Sequence, residues 1–424
     1  MKRIYFILLC SVIMVMSCKE KQNENPIVKD KSAADILGNP AYQAISYGGY
    51  RQISRDIQST IAELKEDLKI LHAMGIRILR TYNVHLAEAA NLLQAIKEMK
   101  KDDPTFEMYI MLGAWIDCKN AWTSLPVDHN IESEKNETEI NRAVELTNQY
   151  PDIVKVIAVG NEAMVKWAES YYVQPNVILK WVNHLQNLKK QGKLPENLWV
   201  TSSDNFASWG GGDTLYHVED LKKLIHAVDY ISLHTYPMHD THYNPDFWGV
   251  KSTEASLTDK EKIEAAMLRA RDYAIFQYKS VVNYMKSLGV EKPVHIGETG
   301  WSSFSNYNYG DDGSKACDEY KSALYYKMIK SWSDSNNVTC FYFEAFDEQW
   351  KDAKNPQGSE NHFGLINLKS EAKYALWDLV DKGVFKGLTR DGKPITKTFG
   401  GDFDSLWKYI KLPPTSDTIK IYKW

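Results

Sequence analysis

Cysteine is scarce in this chain, with five among 424 residues. None stands in a CxxC pair and HExxH spacing does not occur, so neither common pattern for zinc is present and no metal is expected. Only Cys118, Cys317 and Cys340 lie beyond the first 18 residues. Three thiols cannot all pair internally; one bridge among them stays open, but no disulfide framework does. Cys340 sits in an apolar run and is expected as a buried thiol. An excess of charge of either sign is missing too, since 51 Lys and Arg face 55 Asp and Glu, for a formal charge of −4. That balance gives no electrostatic reason to bind nucleic acid. Aromatics, by contrast, are plentiful: 13 Trp and 25 Tyr suit a protein that stacks rings on a ligand.

The apolar run at the start, Ile4 to Met16, follows Lys2 and Arg3 and is too short for a comfortable membrane span. It ends in Ser17-Cys18. A small residue just before a cysteine resembles a bacterial lipoprotein signal, in which the cysteine is acylated and becomes the mature N-terminus. An ordinary cleaved secretory signal is the alternative. Residues 19 to 32 are rich in Lys, Glu, Asn and Asp without an apolar period, as a spacer would be. The chain thus divides into a signal peptide over 1–17, a flexible polar tether over 18–38, and one large domain over 39–424 with a C-terminal extension from about 388. Cys18 is the expected lipid attachment site. It would fix the domain to a bacterial membrane, expected to be the outer membrane, on its periplasmic or its surface face.

Two segments share one design. Pro293-Val294-His295-Ile296 leads through Gly297 to Glu298, with Gly300 and Trp301 behind it. Ile153 to Val159 leads through Gly160 and Asn161 to Glu162. A carboxylate at the end of a buried strand is costly unless it is hydrogen-bonded or used. Either glutamate alone could be a salt-bridged loop residue. As a pair they fit glycoside hydrolysis, in which two carboxyl groups flank the scissile bond. They are 136 positions apart, so the fold has to return strand ends to one face. A (β/α)8 barrel does so.

The remaining sequence supports that fold. Strands are predicted over 44–47, 76–82, 108–115, 153–162, 198–203, 228–236, 293–298 and 338–346, with helical segments between them. Thr60 with Glu63, and Thr258 with Glu261, make capping boxes that start two of the helices. Ile263, Met267, Ala270, Ala274, Val281 and Met285 form one stripe along the second. Segments leading into strands are often short, whereas those following strands are long, as on the active face of a barrel enzyme. Arg80 and Tyr82 share the parity of Ile78 and are expected to face inward. Arg80 then either satisfies carbonyls or orients a catalytic carboxylate.

Val-Gly-Asn-Glu at 159–162, Gly-Glu-Thr-Gly-Trp at 297–301 and Phe-Glu-Ala-Phe-Asp-Glu at 343–348, with Trp350-Lys351 behind, resemble glycoside hydrolase family 17. The resemblance spans roughly residues 41 to 370. It implies a retaining β-1,3-glucan-active barrel, with Glu162 as acid/base and Glu298 as nucleophile. It also implies that Asn161 bonds the sugar 2-hydroxyl and that Tyr236 holds the nucleophile. Glu344, Asp347 and Glu348 become acidic residues at the cleft edge. Such an enzyme needs no organic cofactor, and its partner is a β-glucan polysaccharide or oligosaccharide. Trp115, Trp209, Trp301 and Trp350 lie at or beyond strand ends, and at least two are expected to stack on sugar. His239 and His242 have loop spacing without a supporting carboxylate motif for a metal, and His234 is expected to hydrogen-bond within the barrel or at the floor of the site. A transglycosylase would use the same carboxyls. A non-catalytic glucan-binding lipoprotein would keep the aromatics but lose a carboxylate, and both are present.

Overall fold

The computed structural model describes residues 31–422. The signal peptide and Cys18 lie outside them. Eight parallel strands close into a barrel: β1 Gln43–Ser46, β2 Ile76–Arg80, β3 Tyr109–Ala114, β4 Val154–Asn161, β5 Trp199–Asn205, β6 Ile231–His234, β7 Val294–Gly300 and β8 Cys340–Phe343. Neighbours follow chain order, and β1 pairs with β8 to close the ring. The main helices of the connections are α1 Ile61–Ala73, α2 Ala87–Asp102, α3 Lys135–Gln149, α4 Pro175–Lys190, α5 Glu219–Ala227, α6 Asp259–Ser287 and α7 Glu319–Ser335, with a shorter helix, Pro237–Tyr243, after β6. This is the (β/α)8 barrel, with every predicted strand in its place.

Both capping boxes form. Thr60 and Thr258 accept from the amides of Glu63 and Glu261, whose side chains bond back to the cap amides. The predicted stripe of α6 is buried in full. Each fully buried aliphatic side chain there contributes about 1.5–3 kcal/mol of transfer free energy, which decides the helix's orientation on the sheet. Helix α3 starts at Lys135, five residues before Ile140, its first buried apolar residue, because Lys135 to Glu139 form a first turn that includes buried Asn136 and Glu139.

The barrel interior is a core of its own, separate from the one between sheet and helices. Ala44, Ile78, Tyr109, Met111, Val156, Tyr230 and Phe341 pack inside it. Ala33, Ile36 and Leu37 belong to the same cluster. These three fall in the stretch expected as flexible tether, so that expectation is corrected from Ser32 onward. Ser32 and Asp35 make a capping box around a single helical turn, Ala33–Ile36, and Gly38 donates to Thr339 Oγ1 at 2.7 Å. Three apolar side chains in a short polar-looking segment are enough to stopper the barrel once its open end offers them cover.

The extension beyond residue 388 folds back on the barrel. Arg390 Nε donates to Asp67 of α1 at 2.9 Å, and Asp67 also accepts from Arg51 at 2.7 Å. Cys118, Cys317 and Cys340 are free thiols, and Cys340 is only partly buried.

Candidate active site

Glu298 lies within β7, where the strand reaches the long-loop face. Gly297 before it has to lack a side chain, because a Cβ there would collide with the hydroxyls of Ser203 and Ser232 inside the barrel. Three donors converge on the Glu298 carboxylate. Tyr236 donates to Oε1 at 2.6 Å, Tyr82 to Oε2 at 2.9 Å, and Arg80 Nη1 to the same Oε2. Burial pushes the Glu298 carboxyl up, but the Arg80 guanidinium and these hydrogen bonds outweigh it and hold the group well below the usual carboxylate range. Arg80 is itself buried, as its strand parity predicted, and its second nitrogen donates to Asn161 Oδ1 at 2.5 Å.

Glu162 follows directly on β4. Gly160 has φ 80° and Glu162 itself φ 47°, a left-handed backbone unusual for a glutamate. Its amide donates to Ser203 O at 2.9 Å, which pins the turn to β5. The side chain meets His234 Nδ1 at 3.1 Å. Burial first, and the Glu298 carboxylate second, hold the Glu162 carboxyl well above the usual range. His234 is fully buried, and burial lowers its imidazole to about 4, so it is neutral at pH 7. Its Nε2 lies 2.8 Å from Ser203 Oγ and 3.3 Å from Arg80 Nη2. One neutral ring therefore joins Glu162 to the group that holds Glu298.

The last motif takes up one wall. Lys351 bonds Glu344 at 2.5 Å and stands 3.8 Å from the centre of the Phe343 ring. Glu348 accepts from the Tyr50 amide at 3.2 Å and from Trp350 Nε1 at 2.9 Å. One of its oxygens thus fixes Trp350 and the other the Tyr50 backbone. The Trp350 ring is half-buried, edge-on to Tyr50, with the Arg55 guanidinium 4.3 Å from its centre. Asp347 pairs with Lys373 at 2.7 Å.

Of the four tryptophans beyond strand ends, two belong to the core, and the expectation that Trp301 meets sugar is corrected. Trp301 is fully buried against Trp248 and Tyr325, and its Nε1 donates to Ala316 O at 2.8 Å. Trp209 is equally buried, with its Nε1 on Ser232 O. Past the end of its strand each ring turns into the layer between sheet and helices. Trp115 remains half-buried and packs 5.2 Å from Tyr171. Trp122, which sequence reasoning passed over, is 62% exposed and stacks on the same Tyr171 at 5.1 Å and 22°. Asp204, also missed, lies buried behind the Glu162 turn and accepts the Met164 amide at 2.7 Å. His239 stacks on Tyr236 at 5.1 Å and sits 3.6 Å from Glu360. Nothing in the bare sequence distinguished Trp122 or Asp204 from other loop and strand residues.

The chain matches the model of the BtgE/BtgC glycoside hydrolase domain over residues 44–364, which takes in the whole barrel. It belongs to that family. An endo-laminarinase from Formosa Hel1_33_131 is 65% identical, covers 93% of this chain and is itself covered in full, with a TM-score of 0.91. Aspergillus terreus btgC, named a probable glucan endo-1,3-beta-glucosidase, is 23% identical over 69% of this chain, which spans only 39% of its length. A glycoside hydrolase family 17 β-1,3-glucanosyltransferase from Rhizomucor miehei is 18% identical, over 79% of this chain and 96% of its own, with a TM-score of 0.54; that likeness is one of fold.

Proposed function

We propose that this protein hydrolyses β-1,3-glucan with retention of anomeric configuration, through Glu298 as nucleophile and Glu162 as acid/base. The observation that carries the roles is the opposite setting of the two carboxyls. Glu298 is held ionised by Arg80, Tyr82 and Tyr236, whereas burial and the neighbouring negative charge keep Glu162 protonated. A retaining reaction needs that division, with the two carboxyls about 5–5.5 Å apart. The substrate class follows from the 65% identity to an endo-laminarinase across almost the whole chain.

In the first step Glu298 attacks the anomeric carbon, the bond to the leaving sugar oxygen breaks, and Glu162 gives that oxygen its proton. In the second, Glu162 takes a proton from water, the water oxygen attacks the anomeric carbon, and Glu298 is released as carboxylate. Asn161 uses its Oδ1 on Arg80, which leaves its amide hydrogens to donate to a sugar hydroxyl. Product analysis on soluble laminarin tests the reaction: β-configured products released in water support it. A dominance of longer chains in the presence of excess oligosaccharide would replace hydrolysis with transglycosylation.

The start of the chain supports export and lipid anchoring at Cys18, on the strength of Lys2, Arg3, the short apolar run and Ser17-Cys18. Cys18→Ala is expected to release the protein from membranes with its glucanase activity intact. A mature N-terminus mapped elsewhere by mass spectrometry would overturn the anchor.

A further inference from the structure

A cleft of about 770 Å³ opens between the loops after β7 and β8 and the C-terminal extension. None of Glu162, Glu298, Arg80 or Tyr236 lines it. Its free surface is aromatic: Tyr409 is 66% exposed, Phe304 is 42% exposed, and the Phe399 ring lies 5.4 Å from Tyr409. Several of the charged groups that line it are bonded within the protein, while Lys369 and Lys408 stand exposed at its edge. Lys373 holds Asp347 at 2.7 Å, Lys411 holds Asp311 at 3.0 Å, and Glu319 accepts from the Tyr374 amide at 2.6 Å. A cleft with exposed rings at its walls and carboxylates already bonded at its floor favours ring stacking and hydrogen bonding over ion pairing. It suits a neutral ligand with apolar ring faces and many hydroxyls, and its volume takes a few linked sugar rings. Gln349 reaches this cleft from the loop that also carries Glu348 and Trp350 on the catalytic side. The wall formed by Phe399 and Tyr409 lies in the extension, beyond residue 364, where the family match ends.

We propose that this cleft is a second β-1,3-glucan site, which holds one segment of a polymer while another occupies the catalytic cleft. The proposal rests on the glucan reading of the active site. The extension then serves to tether long chains and has no part in bond cleavage.

The test compares a short laminari-oligosaccharide with polymeric laminarin in the full-length protein. In the Phe304→Ala/Tyr409→Ala variant, kcat/KM on the oligosaccharide should stay within about twofold of wild type, while that on laminarin falls about five- to tenfold. Retardation of the variant in laminarin-containing native gels should fall as well. Equal effects on both substrates, whether none or a shared loss, would overturn the second site. If the double variant melts early, Tyr409→Ala alone carries the same comparison, since that ring is mostly in solvent. A wild type that cleaves neither substrate would refute the proposed function; gel retardation that the variant loses would then still support the cleft as a glucan site, and its persistence would dismiss it.

Discussion

Glu162 and Glu298 stand behind the same device, an apolar run and a glycine, yet they reach opposite settings. Glu298 is met by a guanidinium and two phenols. Glu162 is met by one neutral imidazole and by the field of Glu298 itself. Both are largely buried, so desolvation raises both. What separates them is the supply of donors, and those come from β2, from the end of β6 and from Tyr82, not from the glutamates' own segments. The role of each carboxyl is therefore written in its neighbours' sequence rather than its own.

The sharpest way to break that contrast is to remove each carboxyl in turn. Glu298→Ala should lower turnover of laminarin and of an activated dinitrophenyl glucoside alike, by at least about a thousandfold. Azide should restore some turnover by direct attack, giving the inverted, α product. Glu162→Ala should cost about a hundredfold or more on laminarin but much less on the activated glucoside, whose leaving group needs little protonation. There azide should yield the retained, β product. Rates on the two substrates and the anomer released by NMR check both; exchanged outcomes would swap the roles.

A milder change tests why the two differ. Activity requires Glu298 ionised and Glu162 protonated, so it falls as pH drops through the depressed titration of the first and as pH rises through the elevated titration of the second. The limbs belong to the coupled pair. Tyr236→Phe removes the 2.6 Å donor from Glu298 Oε1. Its loss lets burial raise that carboxyl, moves the acid limb to higher pH, and should cost about ten- to a hundredfold in kcat. An unmoved acid limb in the kcat/KM profile would mean that Arg80 and Tyr82 alone set the ionisation.

The parts of this site that sequence made legible are those tied to periodicity. The eight strands, the parity that turned Arg80 inward, and both glutamates at strand ends follow from patterns of two and of three to four residues. What was not legible depends on packing after a strand has ended. Trp301 and Trp350 look alike as aromatics beyond a strand, but Trp301 is swallowed between β7 and α7 while Trp350 stays half open beside Glu348. No local pattern separates them. The plug of Ala33, Ile36 and Leu37 was likewise hidden, because its apolar residues are too few to show a period and gain their meaning only from the barrel mouth. Trp122 owes its place to a loop backbone with φ 61°, and nothing in the composition of residues 116–130 marks that turn.

The smallest effect is expected two bonds away from either carboxyl, and it addresses how Glu162 and Glu298 are kept distinct while sharing His234. Neutral His234 has one N–H to place. If Nε2 carries it, Ser203 Oγ accepts, and Nδ1 is free to accept from protonated Glu162, which stabilises the acid form. If Nδ1 carries it, the donor faces Glu162 and favours the carboxylate, while Nε2 accepts from Arg80. Ser203 Oγ is the nearer partner of Nε2, and its hydroxyl can accept from it in the first arrangement or donate to it in the second; the first is the one that gives the Glu162 proton an acceptor. Ser203→Ala removes the hydroxyl that can accept from Nε2, leaving a guanidinium opposite Nε2 and hence a preference for the second tautomer. Glu162 should then lose its proton more readily and the basic limb of kcat/KM should move to lower pH. At the optimum the cost should be about threefold or less, because neither reacting carboxyl loses a direct protein contact. The acid limb, set by Tyr236, Tyr82 and Arg80, should stay where it is. A basic limb that does not move would show that Arg80 had already fixed the tautomer, and the high proton affinity of Glu162 would then rest on burial and on Glu298 alone.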